Sequence, residues 1–292
     1  MTEPAKANTA AAPIVVMKPV AFGKRIWCAV TVAATALICV SGSPAIAHAA
    51  AIKVLCANGM KPILSAIVSR FEAASGDAVI LDCTETGDLM KRIAAGQAGD
   101  LYVVPKRALK ELIKQGKIAP AIKFDVASTT LGLAVRDGAP LPADASIEAF
   151  REWLRTVHSI VLTDPAAGGV GSDYFLGILD RLGIADAMRP RLVLASSAGS
   201  YNAELVAAGK VEVAVQLSHL IRQVQDVQLV PLPAGLELEV TFAAGIASAA
   251  ADPVAAASFI RFLTEPAAVS VIKAAGMEAG GRNRRSEEPR NG

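Results

Sequence analysis

Long apolar runs, a dominant charge sign and metal-binding side chains are all scarce in this chain of 292 residues. The one long uncharged apolar stretch, Trp27 to Val40, falls short of the roughly 18 residues of a spanning helix, which excludes a multi-pass membrane protein. Basic and acidic residues number 29 and 27. That balance offers no basic face for nucleic acid, so no nucleic-acid partner is expected. No repeat recurs at 20–50 residue spacing. What the chain does have is a 53% apolar fraction, too high for disorder and sufficient for one large domain or two modest ones.

The first fifty residues read as an export signal. Lys24-Arg25 precedes the apolar stretch, and Ser43-Pro44-Ala45-Ile46-Ala47-His48-Ala49 supplies the small residues of a cleavage site, with the cut expected after Ala49. A periplasmic location follows. This segment carries four of the basic residues and one of the acidic ones, so the mature chain has a net charge of about −1 and no global field to attract anions. Cys56 and Cys83 remain, near the ends of two expected strands in an oxidising compartment. They form either a bridge, if the strands are neighbours, or two buried thiols. With two cysteines and the mature histidines His158 and His219 far apart, no metal or other cofactor is expected. Neither histidine has a nucleophile paired with it in sequence, so both read as structural. Binding rather than catalysis is expected, with a thiol enzyme using Cys56 or Cys83 as the rival.

Short buried strands alternate with helix-period segments in the mature chain. Strands are expected at Ile52–Cys56, Ala78–Cys83 and Asp100–Val104, with helices at Pro62–Ser75, Leu89–Ala95 and Lys106–Gln115. A second α/β set runs from the helix Ile147–Thr156 to the strand Glu212–Leu217, and a helical stretch from Pro253 to Ala275 closes the fold. Extended crossings near 126–133 and 236–245 imply two α/β lobes that hinge over a ligand. The first lobe takes residues 51–128 and 241–280, the second takes 129–240, and 281–292 form a disordered tail.

In such sheets ligands bind beyond the C-terminal strand ends, where helix N-termini present backbone N–H groups. The turns there nominate Asn58, Gly59, Thr86, Gly87, Val170, Gly171, Ser172, Gly199, Ser200 and Tyr201. Their hydroxyls, amides and glycines suit a small anion held without a countercharge. The plainer reading makes Thr86, Ser172, Ser200 and Asn202 ordinary helix caps.

Several of these segments carry a family likeness. Thr86-Gly87-Asp88-Leu89-Met90-Lys91-Arg92-Ile93-Ala94-Ala95-Gly96, Ala98-Gly99-Asp100-Leu101-Tyr102-Val103 and Asp164-Pro165 to Gly171, in that order, resemble the periplasmic molybdate-binding proteins of ABC importers. The likeness covers roughly residues 51–278 and implies the type II periplasmic-binding-protein fold. It also implies a transported oxyanion such as molybdate or tungstate, ligand contacts at Gly59, Thr86, Val170 and around Gly199, a monomer, and an inner-membrane ABC permease as partner. Two positions depart from the family pattern: Gly59 stands for a serine, and Leu217-Ser218 stands where a tyrosine is common. Asp82 and Glu85 add carboxylates near the expected cleft, which would oppose a dianion. A small organic or cationic solute, or a ligand-sensing role, is the alternative reading.

Overall fold

The structure, a computed structural model, describes residues 51–169, 171–195 and 201–280. The expected signal and tail, and the candidates Val170, Gly199 and Ser200, lie outside the described residues.

Strand β1 (Ala51–Ala57) is buried from Val54 to Ala57, as a strand covered by helices on both faces must be. Helix α1 (Lys61–Ser75) has Pro62 in its first turn and buries Ile63, Leu64, Ile67, Val68 and Phe71 on one stripe. It ends where Gly76 takes φ +79°, a left-handed conformation that suits glycine. β2 (Ala78–Thr84), α2 (Thr86–Ala94), β3 (Leu101–Pro105) and α3 (Lys106–Lys114) complete the first set. The long β4 (Ile118–Arg136) follows, then α4 (Ile147–Thr156), β5 (Ile160–Thr163), α5 (Ser172–Arg181), α6 (Ala185–Met188) and β6 (Leu192–Ala195). The chain continues through α7 (Asn202–Ala207), β7 (Val213–Leu217), α8 (Ser218–Ile221), β8 (Val227–Pro231) and β9 (Glu239–Ala247). It closes with α9 (Pro253–Phe262), α10 (Pro266–Ala274) and β10 (Glu278–Ala279).

The strands lie in the order β2-β1-β3-β9-β4-β7-β5-β6, with β8 and β10 both on β4. β1, β2 and β3 are parallel, as are β7, β5 and β6. Between these sets run β4 and β9, antiparallel to each other and extended across both segments expected as crossings. β4 pairs with β9 over its first part and with β7 and β8 from Leu131 onward. Phe71 of α1 meets Phe259 and Phe262 of α9 edge-on, with centroids 4.9 and 5.4 Å apart. The first parallel set is therefore packed by both ends of the chain. This is the mixed α/β architecture of the type II periplasmic-binding-protein fold.

Three expectations need correction. α2 begins at Thr86, not Leu89, so its first turn reaches the strand-end loop. The closing helix is two helices bent by 61°, because Pro266 starts a new one. The extended crossing expected near 126–133 belongs to a much longer strand, β4, which starts at Ile118.

The choice left open for the cysteines is resolved by register. Cys56 lies directly opposite Cys83 in the β1–β2 pair, and the two form a disulfide with Cα atoms 4.5 Å apart.

Candidate binding site

Beyond the C-terminal ends of β1, β2, β5 and β7 lies a cavity of about 80 Å³. Sites for drug-sized ligands span about 300–1,000 Å³, so this space suits a small solute. A roomier cavity of about 650 Å³ lies among Arg136, Trp153, His158 and Glu212. It sits where β5 and β7 begin, the end of a parallel sheet that ligands avoid.

Six of the nominated residues line the smaller cavity together: Asn58 and Gly59 after β1, Thr86 opening α2, Gly171 and Ser172 at α5, and Tyr201 before α7. Gly87 does not. A Cβ on Gly87 would come within 2.7 Å of the Ala167 carbonyl oxygen and the Gly168 Cα, so its missing side chain permits backbone to touch backbone. Lys91 Nζ fastens the same contact by donating to Ala166 O at 2.9 Å.

The capping reading does not fit the described helices. The N-cap residues of α2, α5 and α7 are Glu85, Gly171 and Tyr201, and none makes a side-chain cap. Thr86 is buried, and among the described residues its hydroxyl has no hydrogen-bond partner. The uncapped first-turn N–H groups of α2 and α5 stay available at the cavity. Ser172 contributes differently from expectation. Its hydroxyl donates to Thr163 O at 2.7 Å, so its own N–H is what it can offer.

Two donors have no local sequence signature. Gln216 Oε1 accepts from Ala203 N at 2.8 Å, which fixes its amide orientation and leaves Nε2 for the cavity it lines. Thr163, at the end of β5, lines it too. Asn202 is held within the protein, donating through Nδ2 to Val215 O at 3.2 Å. The only signal for Gln216 was a polar residue inside the wholly buried strand β7.

The two departures from the molybdate-binding pattern meet in space. A Cβ on Gly59 would lie 3.0 Å from Leu217 Cδ1 and 3.3 Å from Phe242 Cζ. The hydroxyl lost at position 59 is thus replaced by an apolar wall. The Gly59 carbonyl is braced by buried His219, whose Nε2–H donates to it at 2.9 Å. His219 Nδ1 then accepts from Thr129 Oγ1 at 3.2 Å, and burial lowers its pKa, keeping the ring neutral. His219 is a structural brace.

The two carboxylates separate cleanly. Asp82 accepts from Arg92 Nη2 at 2.7 Å and from Gln97 Nε2 at 2.6 Å, away from the cavity lining. The Arg92 hydrogen bond holds its pKa below the usual range. Glu85 lines the cavity. Its Oε1 accepts from Asn58 Nδ2 at 3.2 Å, so one amide hydrogen of Asn58 serves the carboxylate. Burial raises the Glu85 pKa, the Asn58 bond partly offsets this, and nearby Asp88 adds to it. Among the described residues lining the cavity there is no lysine, arginine or histidine.

A two-set α/β sheet with donor-rich turns converging at its strand ends defines a solute-binding protein. The chain belongs to the bacterial extracellular solute-binding proteins, whose family profile matches residues 52–278. It is similar in fold to the periplasmic molybdate-binding protein of Azotobacter vinelandii. That match has a TM-score of 0.61 and 22% identity, covering 77% of this chain and 98% of that one. It is also similar to a sulfate-binding protein of Mycobacterium tuberculosis, with a TM-score of 0.62, 18% identity and coverage of 79% and 87%. A curated relative from Pseudomonas sp, 24% identical over 77% of this chain and 86% of its own length, is an aconitate isomerase. That relative corrects one expectation. Binding rather than catalysis was expected, with a thiol enzyme as the rival, yet a similar chain is an isomerase.

Proposed function

We propose that this protein receives a small acid bearing an oxyanion group in the cavity, holds it with hydroxyl, amide and backbone N–H donors, and delivers it to an inner-membrane ABC permease. The observation that carries the reading is the lining itself. Thr86, Gln216 and the first turns of α2 and α5 supply donors with no cation among them. Molybdate, sulfate and aconitate, named for the similar proteins, share that oxyanion chemistry. Preformed dipoles at helix ends stabilise such charge without the desolvation cost of a buried lysine or arginine. Calorimetry of the mature chain with molybdate, tungstate, sulfate, phosphate and aconitate tests this. Heat of binding from at least one is expected, and none from any of them overturns the reading.

A second reading is favoured by Glu85 together with the aconitate isomerase relative. Moving a double bond within an unsaturated acid requires a base that removes a proton from carbon and returns it to another. A cavity carboxylate whose pKa burial has raised is suited to hold that proton. Incubating the protein with cis-aconitate and following the trans isomer by proton NMR checks it. Turnover lost in Glu85→Gln supports the reading, and no turnover by the wild type removes it.

A further inference from the structure

Glu85 is the carboxylate that lines a cavity otherwise built of donors and apolar walls. Its Oε1 is engaged by Asn58, and no cation faces it among the described lining residues. The charged and titratable groups around it are Asp88, on its own helix, and Tyr201, whose hydroxyl is kept protonated by burial with added help from Glu204 and Glu85. The disulfide between Cys56 and Cys83 ties the two turns that carry Asn58 and Glu85, so the carboxylate is held in place.

We infer that Glu85 sets the ligand class: this cleft takes acids that bring an O–H of their own beside the oxyanion group, and discriminates against anions that can only accept hydrogen bonds. The inference rests on the reading of the cavity as an anion site. An ionised carboxylate is an acceptor only. Sulfate and molybdate at neutral pH are acceptors only as well, so one of their oxygens against Glu85 would place two desolvated negative groups together with no hydrogen between them. Hydrogen phosphate, or a hydroxy acid, supplies that hydrogen and turns repulsion into a charge-assisted hydrogen bond. The same constraint disfavours molybdate here, despite the family likeness.

The test compares matched pairs by calorimetry at neutral pH: inorganic phosphate against sulfate, and malate against succinate. In each pair that binds, the O–H-bearing member is expected to bind about tenfold or more tightly, the scale of a hydrogen bond to a charged group. Glu85→Gln, whose amide can donate, should bring that ratio toward one, chiefly by strengthening sulfate or succinate. If the variant does not fold, sulfate titrated into the wild type at falling pH gives the second readout. Sulfate keeps its charge while Glu85 gains a proton, so its affinity should rise. Equal affinities within a binding pair, a ratio unchanged by Glu85→Gln, or sulfate binding flat with pH would each overturn the inference while leaving the anion site standing. Heat from simple amines and from none of the acids would overturn both.

Discussion

Breaking the Cys56–Cys83 bridge should cost both stability and ligand affinity. The two residues are 27 apart in sequence. Loop closure over that length removes about 12 cal/mol/K from the unfolded chain, or about 3.5 kcal/mol at 25 °C, if the folded state is unchanged by reduction. For a chain of this size each kcal/mol moves the melting temperature by about 2–4 °C, so reduction should lower it by about 7–14 °C. The bridge sits where β1 and β2 end, two residues from Asn58 and from Glu85, which hydrogen-bond to each other. Loosening these ends should let both turns relax and weaken binding several-fold. The assay is thermal unfolding and calorimetry of the oxidised chain, the phosphine-reduced chain and the Cys56→Ala/Cys83→Ala variant. A shift below about 2 °C would refute the entropic argument. A normal shift with unchanged affinity would show that the bridge stabilises the fold without positioning the turns.

Three further outcomes follow from the same geometry. Thr86→Ala removes a hydroxyl with no partner among the described residues, so stability should change by less than about 0.5 kcal/mol while affinity falls about three- to tenfold. A melting shift as large as the binding loss would make Thr86 structural. Gly87→Ala places a methyl group against the backbone of Ala167 and Gly168, a strain of about 1–3 kcal/mol that should lower ligand affinity at least about fivefold; unchanged calorimetry would show that the contact gives way freely. Burial raises the pKa of Glu85, so the folded chain keeps that proton to higher pH than the unfolded one, and stability falls as pH climbs from the ordinary carboxylate range through the folded pKa. Glu85→Gln should therefore melt higher than the wild type at pH 7, with the difference closing as pH drops below that range. A difference independent of pH would contradict the origin assigned to it.

The fold was legible wherever sequence and local physics agree. α4 runs from Ile147 to Thr156 as expected because Ser146 accepts from Ala149 N at its start and Phe150, Trp153 and Leu154 form one buried stripe. The turns beyond the first strands were legible because buried strand runs stop at them and helices begin. The lining was only half legible. Gln216 reaches the cavity from within β7, outside every nominated turn, and only the sheet order brings it there, while Thr163 directly precedes the turn of Gly171 and Ser172 but carries no motif of its own. Asp82 and Glu85 looked alike as neighbouring carboxylates, but Arg92 and Gln97, from the next helix and the loop after it, capture one and leave the other. The fit of Leu217 against Gly59 is tertiary, and no local pattern announces it. The expectation against catalysis is overturned by a relative and not by any local pattern, since a single carboxylate in a cleft has no sequence motif.

In the proposed function, N–H groups and hydroxyls from separate turns take hold of one small acid together. Backbone amide NMR during titration of the mature chain, with the acid that gives the strongest heat, tests this most directly. The amides of Gly59, Thr86, Gly87 and Ser172 should shift along one shared saturation curve. Shifts confined to a single turn, or to the opposite ends of the strands near His158 and Glu212, would contradict it.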